Sequence, residues 1–414
     1  MQLTYNGKFK PQRQNRLYVA VQRHYRRIAA VITCLVVALL VISKLTSPGA
    51  AARSLFAFGK SNQKDYIKHH GYYKNDILTK SALIFPNIED APLLRELTVD
   101  SLFQVTTDNK QEKKYYYAES LSEADQKLNN KLTDEPDQLA KATNSFLNHG
   151  KLKFDGPNSP EVVIVTGIDF ETNELSHLVN IVQNRVNYAE AQKYGIYVRW
   201  VQEFLPILQP GEKNDYKSVA RLSILRNAMY AFPKAKYFWY LHDNSMIMKY
   251  DVDLLKYLLN EDVLSPILMR DQPLIPPKGI IHTFKNQLAS EVEFLITQMD
   301  QDLNADSFIF KNSFFAKALL EFWSDSLFRK YHGFVNKIED SLLHLLQWHP
   351  VFLGRTGIVP ARTIASLYSV VESSGGDSLH YAEGDFVVNL RDCEVRGTCD
   401  KEVDQHYVAR ARAS

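Results

Sequence analysis

The chain has 414 residues, 45% of them hydrophobic and 23% charged, with a formal net charge of +2. These are globular values, and the length allows one large domain or two ordinary ones with extensions. The near-neutral balance forms no dominant basic face, so there is no reason to expect a nucleic-acid partner.

Residues 1–27 carry Lys8, Lys10, Arg13, Arg16, Arg23, Arg26 and Arg27 and no acidic residue. Residues 28–45 then read IAAVITCLVVALLVISKL, an apolar run of about 16 residues, near the lower limit for a membrane-spanning helix. A cleaved signal peptide is the alternative, with Ser47-Pro48-Gly49-Ala50-Ala51 as a weak cleavage region. The long basic leader favours a signal anchor, with Lys44 snorkelling at its end. The positive flank makes 1–27 a cytosolic tail and leaves the rest in the lumen. So short a span suits a thin early-secretory membrane. Residues 46–158 read as a stem or accessory region, and 155–160 (Asp-Gly-Pro-Asn-Ser-Pro) as a breaker cluster that ends it.

From 159 to 400 the rhythm is α/β. Residues 162–166 are a β-branched run closed by Gly167, the pattern of a buried parallel strand. Residues 174–194 space Leu178, Ile181, Val182, Val186 and Ala189 as one helical face, with Gly195 placed as the C-terminal cap. A second strand is expected at 196–201, a helix at 219–232 stopped by Pro233, and a third strand at 237–241. Alternating strands and helices imply right-handed crossovers and a largely parallel sheet flanked by helices. Strand 237–241 passes abruptly to His242, Asp243 and Asn244. Polar residues at the carboxyl end of such a strand occupy the usual ligand-binding place in open α/β sheets. If the strand continued, Asp243 would face the opposite side from His242 and Asn244.

Further on, a short helix is expected at 251–259, a strand around 304–310, an amphipathic helix at 313–329 and another at 337–346. Glu339 and Asp340 sit at the start of the last, where acidic residues also serve the helix dipole. Residues 384–393 read as a final strand, and 401–414 as a frayed tail. Cys393 and Cys399 can close a small loop in an oxidising lumen or remain two thiols. No Asn-x-Ser/Thr acceptor occurs, so no N-glycan is expected on the chain itself.

Several blocks resemble a family of Golgi transferases. It includes yeast galactosyltransferases, plant xyloglucan xylosyltransferases and the α-1,6-mannosyltransferase subunits of mannan polymerase II. The blocks are Val165-Thr-Gly167, Arg185-Val-Asn-Tyr-Ala189 with Tyr194-Gly195, residues 221–248, Leu303-Asn-Ala-Asp-Ser-Phe308, residues 339–346 and Gly384-Asp-Phe-Val-Val388. The resemblance implies a GT-A type nucleotide-sugar-binding domain, GDP-mannose as donor, retention of configuration, and a mannan or N-glycan acceptor. It further implies a Golgi membrane location and partnership with other mannosyltransferase subunits. By matching blocks it places Thr166, Gly167, Arg185, Tyr188, Arg226 and Asp243 near the substrate, and Asp306, Glu339 and Asp340 as catalytic candidates.

The family's metal ligands are the two aspartates of Asp-x-Asp and a histidine of the last strand. Here those positions hold His242, Asn244 and Asn389, and the fourth residue of the Leu-Asn-Ala-Gly block is Asp306. Two carboxylate charges are therefore missing from a site that would hold Mn²⁺. Two readings follow. In one, the enzyme is active and a fixed cation such as Arg226, Lys278 or Arg391 replaces the metal's charge. In the other, the chain is a non-catalytic or weakly catalytic subunit supporting an active partner.

Overall fold

The structure is a computed structural model. It describes residues 76–96, 103–107, 113–117, 152–207, 216–275, 279–299, 302–369 and 377–413, all within one compact unit spanning His70–Ser414. The expected cytosolic tail, signal anchor and much of the stem lie outside the described residues, as does Lys278. No helix among the described residues is long and apolar enough to cross a membrane.

The strands in chain order are β1 (Ile77–Thr79), β2 (Leu83–Ile84), β3 (Phe103–Thr107), β4 (Lys113–Tyr117), β5 (Leu152–Phe154), β6 (Val162–Ile168), β7 (Gly195–Trp200), β8 (Tyr237–Leu241), β9 (Ser245–Ile247), β10 (Phe294–Gln298), β11 (Leu303–Lys311), β12 (Thr356–Val359), β13 (Ser366–Leu367) and β14 (Val387–Asn389). Seven of them form the central sheet in the order β12-β10-β11-β8-β6-β7-β2. The pairs β6–β7, β6–β8, β2–β7 and β10–β12 are parallel. The expectation of a largely parallel sheet needs one correction: β11 runs antiparallel to both β8 and β10, so the sheet is mixed.

Alternation along each strand divides the core in two. Ile164, Val198, Trp239 and Leu241 face one side, where they pack with Leu178, Ile181 and Ala189 of the helix Leu175–Gln192. Val163, Val165, Phe238 and Tyr240 face the other, toward the helices Tyr216–Ala231, Phe314–Trp323 and Lys337–Trp348. A strand buried on both faces must be largely apolar, which is why β6 as far as Val165 and the whole of β8 read as hydrophobic runs. From β6 the chain leaves to β7 on one side and returns to β8 on the other, so the carboxyl ends of β6 and β8 bound a topological switch.

Other boundaries differ from the sequence reading. Leu83–Ile84, on the stem side of residue 158, is hydrogen-bonded into the sheet beside β7. Lys193, at φ 59°, takes the left-handed position after the helix Leu175–Gln192, and Gly195 instead opens β7. A Cβ on Gly195 would come within 2.8 Å of Pro160 Cγ and 3.2 Å of Ala82 O, so close packing explains that glycine. The helix expected over 313–329 breaks at Ser324, and Asp325 caps a second helix, Ser326–Lys330, by accepting from Leu327 N at 2.7 Å. The supposed frayed tail is the helix Cys399–Ala413. It buries Val403 and His406, and its Asp404 accepts from Asn180 Nδ2 at 2.6 Å. Cys393 and Cys399 are disulfide-bonded, which ties this helix to the end of the sheet region.

Candidate active site

β8 ends at Leu241, and the next four residues make a tight turn into β9. His242 N donates to Asp306 O at 2.8 Å, and Ser245 N returns to His242 O at 3.1 Å. Arg185, fully buried on the helix Leu175–Gln192, fixes this turn from below. Its Nη2 donates to His242 O (2.9 Å) and Ser245 O (2.7 Å), and its Nε reaches Thr166 Oγ1 at 3.4 Å. Burial pulls the Arg185 pKa down to about 10, with Tyr250 and Asp243 opposing. The guanidinium stays charged at neutral pH and holds the backbone that presents the polar trio.

β14 closes the site from the far end of the sequence. Asn389 pairs with Ser245 across the β9–β14 ladder, and Leu390 N donates to Asn244 O at 2.8 Å. Positions 242, 244 and 389 therefore meet, and all three residues are buried. Asp306 joins them from β11. The β10–β11 register jumps between Ile296↔Phe308 and Thr297↔Asn304, so residues 305–307 fall outside that ladder. An irregularity of this kind re-aims a side chain. Here Asp306 receives Asn389 Nδ2 at 3.2 Å, and its N–H is held by Asn304 Oδ1 at 3.0 Å.

Fixed cations surround Asp306. Arg221 Nη1 donates to Ala305 O (2.8 Å) and lies 3.4 Å from Asp306 Oδ1 and 3.7 Å from Glu339 Oε1. Arg391, a quarter exposed, pairs with Asp302 at 3.0 Å. Burial works against ionised Asp306, but His242, Arg221 and Arg391 outweigh it and hold the carboxyl below its ordinary range. Burial pushes the Glu339 carboxyl up against the pull of Arg221. Burial also opposes a charged His242, yet Asp243, 2.9 Å away, and then Asp306 raise its pKa above the ordinary histidine value.

Of the other expected residues, Asp243 is at the site but not on the opposite strand face, because the strand has already ended. Its Oδ2 accepts from Asn173 Nδ2 at 3.0 Å, and its Oδ1 faces His242. Thr166 lies beneath, in contact with Arg185. Gly167 is a packing residue, since a Cβ there would meet Ile224 Cδ1 at 2.7 Å. Tyr188 is core, with its hydroxyl donating to Val252 O at 2.8 Å and its ring against Trp239 and Phe386. Arg226 faces outward to Glu321 at 2.9 Å, away from the cluster. Asp340 caps its own helix start, where its Oδ2 accepts from Val335 N (2.8 Å) and Asn336 N (3.0 Å). Arg221, Asn304 and Asn173 were not anticipated. Arg221 and Asn304 lay within blocks that carry the family resemblance, but nothing singled them out, and Asn173 gave no signal.

The cluster does not fit a divalent cation. Mg²⁺ and Mn²⁺ want several hard oxygens free to ligate. Asn389 turns an N–H₂ toward Asp306, His242 Nδ1 is engaged with Asp243, and the Asp306 carboxylate is shared between Asn389 and Arg221. Among the described residues no group of three or more His, Cys, Asp or Glu side chains is arranged to hold a metal.

A buried polar cluster at the carboxyl ends of strands beside a switch point defines an α/β protein with a ligand site in the usual place. The chain belongs to the galactosyl transferase GMA12/MNN10 family, whose model matches residues 158–400, and is a glycosyltransferase by family. It is 35% identical over 370 residues to the probable alpha-1,6-mannosyltransferase MNN11 of Saccharomyces cerevisiae, covering 85% of this chain and 86% of that one. It is 31% identical over 234 residues to the probable alpha-1,6-mannosyltransferase MNN10 of the same yeast, covering 55% and 58%. An uncharacterized alpha-1,2-galactosyltransferase of Schizosaccharomyces pombe, C1289.13c, is 27% identical over 259 residues, covering 60% and 66%. Among solved structures, a glycosyltransferase involved in glycosylation of the major capsid of PBCV-1 aligns at TM-score 0.39 and 10% identity, over 59% of this chain and the whole of that one.

Proposed function

We propose that the protein is an α-1,6-mannosyltransferase that uses GDP-mannose to extend the mannose backbone of N-glycan outer chains. The observation that carries this is the 35% identity, across 85% of the chain, to a relative named as a probable alpha-1,6-mannosyltransferase. An α-linked donor and an α-linked product require retention of configuration. Under this reading the domain is of GT-A type. It is held in the Golgi lumen by the apolar segment 28–45 and works beside other mannosyltransferase subunits. Glu339 and Asp306, which both approach Arg221, are the catalytic candidates under this reading.

The test is transfer from labelled GDP-mannose to an α-1,6-mannobiose acceptor by the purified full-length chain, with the new linkage read by NMR. Transfer from UDP-galactose with none from GDP-mannose would overturn the donor assignment. A second reading, a non-catalytic subunit, draws on His242, Asn244 and Asn389 standing where carboxylates and a histidine would be expected. It is supported if the chain alone is inert but raises the turnover of an added partner subunit.

A further inference from the structure

We propose that this site takes the diphosphate of its nucleotide donor without a divalent cation, through protein N–H donors and arginines gathered around Asp306. The inference rests on the donor reading above and specifies how that donor is held.

The unengaged polar atoms of the cluster point to it. Asn304 Nδ2 and Arg221 Nε are buried donors with no acceptor, and Asn389 Oδ1 is a buried acceptor with no donor. A dication needs about six oxygens around it; the unengaged buried oxygens here, Asn389 Oδ1 with Thr297 Oγ1 and Gln298 Oε1 on the paired strand, are few and all neutral. A diphosphate is rich in acceptors and binds N–H groups and guanidinium forks. Two spare N–H donors match a diphosphate and do nothing for a dication. Arg391, with its side chain a quarter exposed beside them, is the cation at the rim.

The charge balance agrees. In a site built on a dication, two carboxylates cancel the ion's charge. This site lacks carboxylates at 242 and 244, and those it keeps each face a cation: Asp306 and Glu339 share Arg221, Asp243 has His242, and Asp302 has Arg391. Asp306 lies 3.4 Å from Arg221, which Glu339 also approaches at 3.7 Å. A dication entering this cluster would meet Arg221 and Arg391 as repelling neighbours, with Asp306 already held by Arg221 and Asn389.

The test uses the purified full-length chain, GDP and UDP as probes, and calorimetry in excess EDTA or excess Mn²⁺. The expected result is GDP binding whose Kd agrees in the two buffers to within about twofold, a negligible free-energy difference. Paramagnetic resonance of Mn²⁺ alone should show no bound equivalent. Binding of GDP only with Mn²⁺, or one equivalent of Mn²⁺ taken up by the chain, overturns the inference and leaves the donor reading standing. Metal-independent binding of UDP but not GDP supports the inference and removes GDP-mannose as donor. Failure of both nucleotides in both buffers removes both.

Arg391→Ala should weaken binding in EDTA by about tenfold or more, the usual scale for a lost charge-assisted contact. Arg391→Lys, which keeps the charge and the Asp302 partner, should recover part of it. Unchanged affinity in both variants overturns the role given to Arg391.

Discussion

Arg221→Met is the most informative perturbation of the cluster. The guanidinium lies 3.4 Å from the Asp306 carboxylate and 3.7 Å from that of Glu339, and all three side chains are largely withdrawn from water. At an effective dielectric of about 20, each attraction is worth about 4–5 kcal/mol. Burial of the arginine opposes this and is the largest influence on it. The gain that survives is the cost of breaking a buried pair by removing one member, about 3–5 kcal/mol. Met fills most of the volume, so packing contributes little to the loss. The assay is urea unfolding followed by tryptophan fluorescence at pH 7.5, for wild type, Arg221→Met, Glu339→Gln and the double variant. Because Glu339→Gln removes one of the two stranded charges, the cycle should show a coupling of about 1–3 kcal/mol. Glu339 already titrates high, and losing Arg221 raises it further. The variant's deficit should therefore shrink as pH falls and that carboxyl takes up its proton. A single variant within about 1 kcal/mol of wild type, or a coupling near zero, would mean that water rather than Arg221 compensates these carboxylates.

Three other outcomes are expected. Replacing both Cys393 and Cys399 with Ser, which opens a loop of sequence separation six, should cost about 2 kcal/mol in thermal or urea unfolding and raise hydrogen exchange in the helix Cys399–Ala413. The folded His242 pKa lies above its ordinary 6.5. Its contribution to stability is therefore complete below 6.5 and is lost as pH rises through the folded value. Wild type should lose stability across that interval, and His242→Asn should not. Gly195→Ala should cost about 1–3 kcal/mol through overpacking against Pro160 and the Ala82 carbonyl; a neutral change by urea unfolding would mean that this strand can shift to admit a methyl group.

The parts of the fold that were legible share a property: their burial is decided within a single window. β6, β8 and the helix Leu175–Gln192 each carry enough apolar residues at one period to announce themselves. Elements that depend on distant partners did not. Two residues, Leu83 and Ile84, cannot display a period, and only their pairing with Ile196 and Tyr197 makes them a strand. The helix Cys399–Ala413 looks like a solvated tail because its sequence is mostly charged and polar, and several of the residues that anchor it are polar too, among them Asp404 with Asn180 and Arg410 over the Tyr250 ring. β11 is buried on both faces and mixes Asn304, Asp306 and Ser307 with apolar residues, a pattern that carries no sign of its direction. In the site, the convergence of 242, 244 and 389 was anticipated through the family blocks, but the charge network was not. Arg221 and Arg226 lie on one helix five positions apart, about 140° around its axis. The sequence offers no means of telling that the first faces Asp306 and the second faces Glu321.

Taken as the altered ligand positions that the family resemblance implies, His242, Asn244 and Asn389 do not resemble a site decaying piecemeal. Random loss of metal ligands would leave buried polar groups stranded, each costing about 1–3 kcal/mol. Here His242 has Asp243 at 2.9 Å, Asn244 Oδ1 has Ser245 Oγ at 3.3 Å, and Asn389 Nδ2 has Asp306 at 3.2 Å. Asp306 itself stands where the family block has glycine, and it would repel nothing it touches: its neighbours are an amide N–H₂, Arg221 and His242. Each of the three thus has a polar partner, and Asn389 with Asp306 joins two of the changed positions, while Arg221 Nε, Asn304 Nδ2 and Asn389 Oδ1 stay unengaged. A network whose carboxylates face cations and that still holds two unengaged N–H donors offers hydrogen bonds to an anionic ligand. That argues for a site re-formed around different electrostatics over one that has merely been lost.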